Sequence, residues 1–187
     1  MSWTSPFGRI YNDNIMRFRG EEWLNDDRLV HGMTTIPDEC GPIGIISPAF
    51  SVTGDTEGKN ESIAVSQLFH ARYKFAMLPL HIGKNLWCGA VFDMQSTPQT
   101  ITVFDPQQKQ EQYEEYESLI ETLFEDTTST RISRREEWLK QSDGYNCGLF
   151  VLLFFECTVR GITLPASPSK GFLHYIRMRY MLKALQV

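Results

Sequence analysis

The chain has no stretch approaching the roughly 18 consecutive apolar residues of a membrane-spanning helix, so no membrane partner is expected. Its first residues, Met1 to Pro6, contain no basic region followed by an apolar one, and so give no sign of a secretory leader. A cluster of Lys and Arg is also missing: 18 basic residues stand against 23 acidic ones, for a formal charge of −5. Nucleic acid and other long anionic polymers are therefore poor candidates for partners. Cysteine is scarce. No two of Cys40, Cys88, Cys147 and Cys157 form a Cys-x-x-Cys pair, and no His, Cys and Asp stand at metal-ligand spacing, so no metal or other cofactor is expected. The four thiols read as reduced, which points to a cytoplasmic or nuclear setting. Internal repeats and linker-like stretches are absent as well.

What is present is an average globular composition over 187 residues, enough for one domain (1–187) with a substantial core, and a monomer is the simplest expectation. Residues 21–31, with Trp23, Leu24, Leu29 and Val30 at helical spacing, predict a helix ended by Gly32. Residues 51–62 lack apolar periodicity and read as a surface loop, followed by a short helix over 63–73. Residues 75–80, 87–92 and 100–104 read as strands, the first two separated by a turn at Gly83-Lys84-Asn85. Residues 111–125 form an amphipathic helix with Tyr113, Tyr116, Leu119 and Ile120 on one face, and 131–139 a further strand. A helix from Cys147 to about Arg160 stops at Gly161, and 171–185 is a final helix. Helices flanking a small sheet of mixed direction give an α+β class.

The chemistry concentrates in Gln141-Ser142-Asp143-Gly144-Tyr145-Asn146-Cys147-Gly148, which runs directly into the apolar residues Leu149 to Phe155. Asn146 is a good N-cap residue, so Cys147 is expected at the first helical position. Unpaired amides and a partial positive charge at a helix start favour a thiolate and can hold a developing oxyanion. Gln141, six residues upstream in a Gly-containing turn, can return a neutral amide donor to the same point. An isolated cysteine is usually a small core residue. The cap, the turn and the upstream Gln together argue for a nucleophile here.

Three blocks of this sequence resemble the Ulp1/sentrin-type family of ubiquitin-like-protein-specific cysteine proteases. They are Trp23-Leu24-Asn25-Asp26; the strand residues Leu78 to Gly83, Trp87 to Asp93 and Ile101 to Asp105; and Gln141 to Gly148, together spanning about residues 20–160. The resemblance implies that fold and a reaction at the C-terminal Gly-Gly tail of a ubiquitin-like, SUMO-like protein. Cys147 would be the nucleophile, Gln141 the oxyanion donor and Asp105 the carboxylate that orients a base. Trp23 and Trp87 would wall a channel that only glycine can pass.

The sequence departs from the family at one place. The family's base His directly precedes the strand Trp, and here that residue is Leu86. A helix terminus offers about 0.3–1 kcal/mol toward a thiolate, whereas a general base contributes about 10²–10⁴-fold in rate. His81 is the candidate substitute base, if the turn after it shortens the distance to Cys147. His31, His70 and His174 have no motif neighbours and read as surface or core residues. Two alternatives follow: a module that binds ubiquitin-like proteins without turnover, and an acyltransferase of the same clan, which would need a basic pocket.

Overall fold

The computed structural model describes residues 2–5, 8–51, 53–66, 72–82, 86–123, 130–136, 138–163 and 167–185. An antiparallel hairpin of β1 (Ser2–Ser5) and β2 (Gly8–Tyr11) leads into α1 (Asn12–Met16), α2 (Asp26–Thr34) and α3 (Pro37–Cys40). Then come β3 (Gly44–Ile45), α4 (Thr56–Ser66), β4 (Phe75–Ile82), β5 (Leu86–Asp93), β6 (Thr100–Phe104), α5 (Gln110–Leu123), β7 (Arg131–Arg134), α6 (Cys147–Arg160) and α7 (Lys170–Leu185). The main sheet runs in the order β3-β4-β5-β6-β7, with parallel outer pairs and antiparallel inner ones. This is the mixed-direction α+β arrangement that the sequence predicts.

The central strand β5 is apolar along nearly its whole length because both its faces are covered: seven of its eight positions are buried. Helix α6 is buried along its first eleven residues, Cys147 to Cys157, as a helix apolar all round must be. It lies so close to β5 that a Cβ on Gly89 would come 2.8 Å from the ring of Phe155. Gly161, at φ +65°, ends α6 in the left-handed conformation that glycine adopts without strain. Among the described residues no helix is long and apolar enough to cross a membrane.

Three elements differ from the sequence reading. Helix α2 starts at Asp26, because the Asn25 side chain accepts from the Arg28 amide and Asp26 and Asp27 fill the first turn. Gly32 does not end it. Gly32 lies inside α2, where a Cβ would come 2.4 Å from Leu152 of α6, so this glycine is a packing residue. The expected loop over 51–62 contains most of α4, which Asp55 initiates by accepting from the Gly58 amide at 2.6 Å. The strand expected over 131–139 ends at Arg134. The turn expected at 83–85, His70 and the end of the acidic helix at 124–125 lie outside the described residues.

Candidate active site

Cys147 is the first residue of α6, as the sequence predicts, but Asn146 does not cap the helix with its side chain. The Asn146 amide nitrogen donates to Asp143 Oδ2 at 2.7 Å, and its oxygen accepts from Arg177 Nε at 2.9 Å. The residue that shapes the approach to Cys147 is Asp143. Its Oδ1 accepts from the amides of Tyr145 and Asn146 at 3.0 and 2.9 Å. Burial pushes the Asp143 carboxyl up, but the hydrogen bonds from the Asn146 side chain and from these amides outweigh it, and it titrates below the ordinary carboxylate range.

The Cys147 side chain is almost covered, with 2% of the residue exposed. Burial raises its thiol above the ordinary value, opposed by hydrogen bonds from the backbone amides of Trp87, Gly148 and Cys147 itself. Burial outweighs the helix terminus here, so the shift runs opposite to the one the helix start alone favours. The Trp87 amide is a contributor that the motif reading missed. It is available because β5 outruns β6: their last pair is Gly89 with Phe104, which leaves Trp87 beyond the end of the ladder.

Both indoles bond into segments that border this point. Trp23, 40% exposed, donates its indole N–H to the carbonyl of Gly144, three residues before Cys147. Trp87 is buried, donates its indole N–H to the carbonyl of Leu24 at 2.6 Å, and lies against Gly148, where a Cβ would come 3.2 Å from its Cδ1. Gln141 is tied in through its backbone amide, which donates to the Pro106 carbonyl at 2.8 Å. That bond joins the loop to the turn that carries Asp105. The Gln141 side-chain nitrogen donates to the carbonyl and Oδ1 of Asp143 at 2.7 and 3.2 Å, so the expected oxyanion donor is folded back onto its own loop.

Asp105 is fully buried. Its carboxylate accepts from the amides of Gln107 and Lys109, both at 2.8 Å, and from the Cys88 thiol at 3.6 Å. Burial raises its titration above the ordinary range despite these bonds, and burial with Asp105 alongside raises the Cys88 thiol far more. Leu86 is buried and pairs with Ile82 across β4 and β5. His81 pairs with Trp87, and their rings lie with centroids 4.6 Å apart. Its backbone amide donates to Ser51 Oγ at 2.9 Å, and among the described residues no hydrogen bond joins its imidazole to Cys147. The structure thus gathers Cys147, Gln141, Trp23 and Trp87 at one place, with Asp105 behind them, and sets the His81 ring on the indole of Trp87. Of the other histidines, His31 is buried in α2 and His174 is exposed on α7.

With this geometry in view, residues 53–181 match the model of the Ulp1 protease family, C-terminal catalytic domain. The chain belongs to that family. Among solved structures it is similar to the Ulp1 protease domain in complex with Smt3, the yeast ortholog of SUMO. That match has a TM-score of 0.72 and 16% identity, and covers 99% of this chain and 86% of that one. It is also similar to the Xanthomonas campestris effector XopD bound to ubiquitin, at a TM-score of 0.62 and 16% identity over 84% of this chain and 91% of that one. The Ulp1-like SUMO protease catalytic domain of Chaetomium thermophilum matches at a TM-score of 0.66 and 16% identity over 85% and 70%. No curated protein sequence matches the chain.

Proposed function

We propose that this domain grips the C-terminal Gly-Gly tail of a ubiquitin-like protein and that Cys147 is a peptidase nucleophile whose turnover is slowed strongly by Leu86. The observation that carries the reading is the convergence on Cys147. Three backbone amides act on its sulfur, the Trp23 indole bonds the carbonyl of Gly144 in the same loop, and the Trp87 indole bonds the carbonyl of Leu24 and lies against Gly148. In the full reaction the thiolate attacks the scissile carbonyl and the amine leaves with a proton. Water then hydrolyses the thioester. Here burial raises the Cys147 thiol, aliphatic Leu86 occupies the place that the family resemblance gives to the base, and the Gln141 side chain is engaged with Asp143. Recognition needs none of those three groups, so binding outlasts hydrolysis in this arrangement. A reducing compartment, cytoplasm or nucleus, belongs to the proposal, because it keeps Cys147 available.

The test is a titration of the domain with ubiquitin and with Smt3, each intact and each lacking its last two glycines, followed by tryptophan fluorescence. Binding of at least one intact protein, at least about tenfold weaker without the glycines, is the expected result. Equal affinity with and without them, or no binding of either, contradicts it.

A further inference from the structure

Residues 22–24, ahead of α2, lie outside any helix or strand, so their carbonyls have no ladder to satisfy them. Three side chains from three different elements do so. Arg177 of α7 donates from Nη2 to the Glu22 carbonyl at 2.9 Å, Arg28 of α2 from Nη1 to the Trp23 carbonyl at 2.6 Å, and Trp87 of β5 to the Leu24 carbonyl at 2.6 Å. Arg177 also reaches the other side of the site. Its Nε donates to Asn146 Oδ1 at 2.9 Å, its Nη2 approaches the Tyr145 carbonyl at 3.4 Å, and its guanidinium lies 5.5 Å from the Tyr145 ring centre.

Only 3% of Arg177 is exposed, and its Nη1 is buried without a hydrogen-bond partner among the described residues. Arg28, itself buried, adds a like charge nearby. Burying a guanidinium beside another is costly, and an aliphatic residue would fill the same volume without that cost. What Arg177 supplies that Met or Leu would not is a planar fork with donors in fixed directions, which can hold two separate backbone segments at once. Those segments are the ones that carry Trp23 and Cys147.

We propose that Arg177 is a positioning residue that clamps the Trp23 segment to the Cys147 loop and so sets the spacing of the tail-binding channel. This rests on the tail-binding reading for its function, but the clamp itself can be tested without any ligand. The test uses Arg177→Gln and Arg177→Lys, with Tyr180→Phe as a control that alters α7 one turn further along, where its hydroxyl bonds Glu156 at 2.9 Å. Indole N–H resonances are recorded by NMR for the four tryptophans, together with affinity for whichever of ubiquitin and Smt3 binds the wild type.

The expected result is that the Trp23 resonance shifts in both Arg177 variants while that of Trp138 holds, and that tail affinity falls about tenfold or more. Tyr180→Phe should lower thermal stability and leave the Trp23 signal in place. If Arg177→Gln does not fold, Arg177→Lys decides, because it keeps the charge and loses the fork. An unmoved Trp23 signal with wild-type affinity in a folded Arg177 variant overturns the clamp. A shifted Trp23 signal in a protein whose wild type binds neither probe supports the clamp and defeats the tail-binding reading instead.

Discussion

The thiol of Cys88 lies 3.6 Å from Oδ1 of Asp105, a carboxylate that also accepts from two backbone amides. Asp105 is buried, and its carboxylate meets the neutral Cys88 thiol, the turn that follows it and the side-chain amide of Gln112. Asp105 ends a strand, and the bonds from Gln107 and Lys109 are those of an aspartate holding its own turn together. Leu86 and Cys88 are two residues apart on β5 and so share a face. An imidazole at position 86 would project from the same face as the Cys88 thiol, which meets this carboxylate.

The ionisation of Cys147 has a measurable sign. Burial raises the thiol above its ordinary value of 9.0, so the folded protein keeps the proton at pH values where a free cysteine loses it. Alkylation of Cys147 by iodoacetamide should rise about tenfold per pH unit through neutrality and beyond 9, because only the thiolate reacts. A plateau near neutral pH in the wild type would mean an ion pair with an imidazolium.

Gly89 has no room for a methyl group, since a Cβ there would meet two atoms of the Phe155 ring at 2.8 and 2.9 Å and Val151 at 3.1 Å. Phe155 is fully buried and cannot swing away. Gly89→Ala should cost about 1–3 kcal/mol by pushing α6 off the sheet. The denaturant midpoint measures this, with a small increase in Cys147 alkylation expected alongside it.

Glu156 holds α6 to α7 through a bidentate pair with Arg179 and a bond from the Tyr180 hydroxyl. Burial pushes its carboxyl up, but Arg179, Tyr180 and Lys183 outweigh that and bring it below the ordinary 4.5. A depressed carboxylate stabilises the fold at pH values above its unfolded value, and the contribution is lost as pH falls through the folded one. Glu156→Gln should therefore cost about 3 kcal/mol at neutral pH. The gap to wild type should shrink in acid below the ordinary range, as compared by urea midpoints at the two pH values.

The parts of this molecule that the sequence reveals are those where burial writes a pattern. The strands β4 and β5 and the helix from Cys147 are nearly continuous apolar runs with plain stops, β6 alternates, and the structure has all four within about two residues. Helix α4 was illegible by periodicity, because it is polar almost all round and buries only Ile63 among its described residues. The Asp55 cap with Glu57 in the first turn was the available signal. Gly32 misled because a glycine that ends a helix and one that admits a neighbour look alike in sequence. At the site, Cys147, Gln141, Trp23 and Trp87, which the motif singled out, are linked through the Gln141–Asp143, Trp23–Gly144 and Trp87–Leu24 bonds. What the motif did not reveal were contributions from chain-distant groups, namely the Trp87 amide and Arg177, and the burial that opposes the helix terminus. Those depend on which segments lie side by side, and no local pattern records that.

Leu86 is the residue on which the account turns. The most direct measurement is the hydrolysis rate of a ubiquitin-like substrate carrying a fluorogenic group after Gly-Gly, using whichever of ubiquitin and Smt3 binds, for wild type and Leu86→His under identical reducing conditions. Replacing the aliphatic side chain with an imidazole should raise turnover about 10²–10⁴-fold, with Cys147→Ala abolishing the gain. Rapid hydrolysis by the wild type, or a folded Leu86→His protein no faster than its parent, would contradict it.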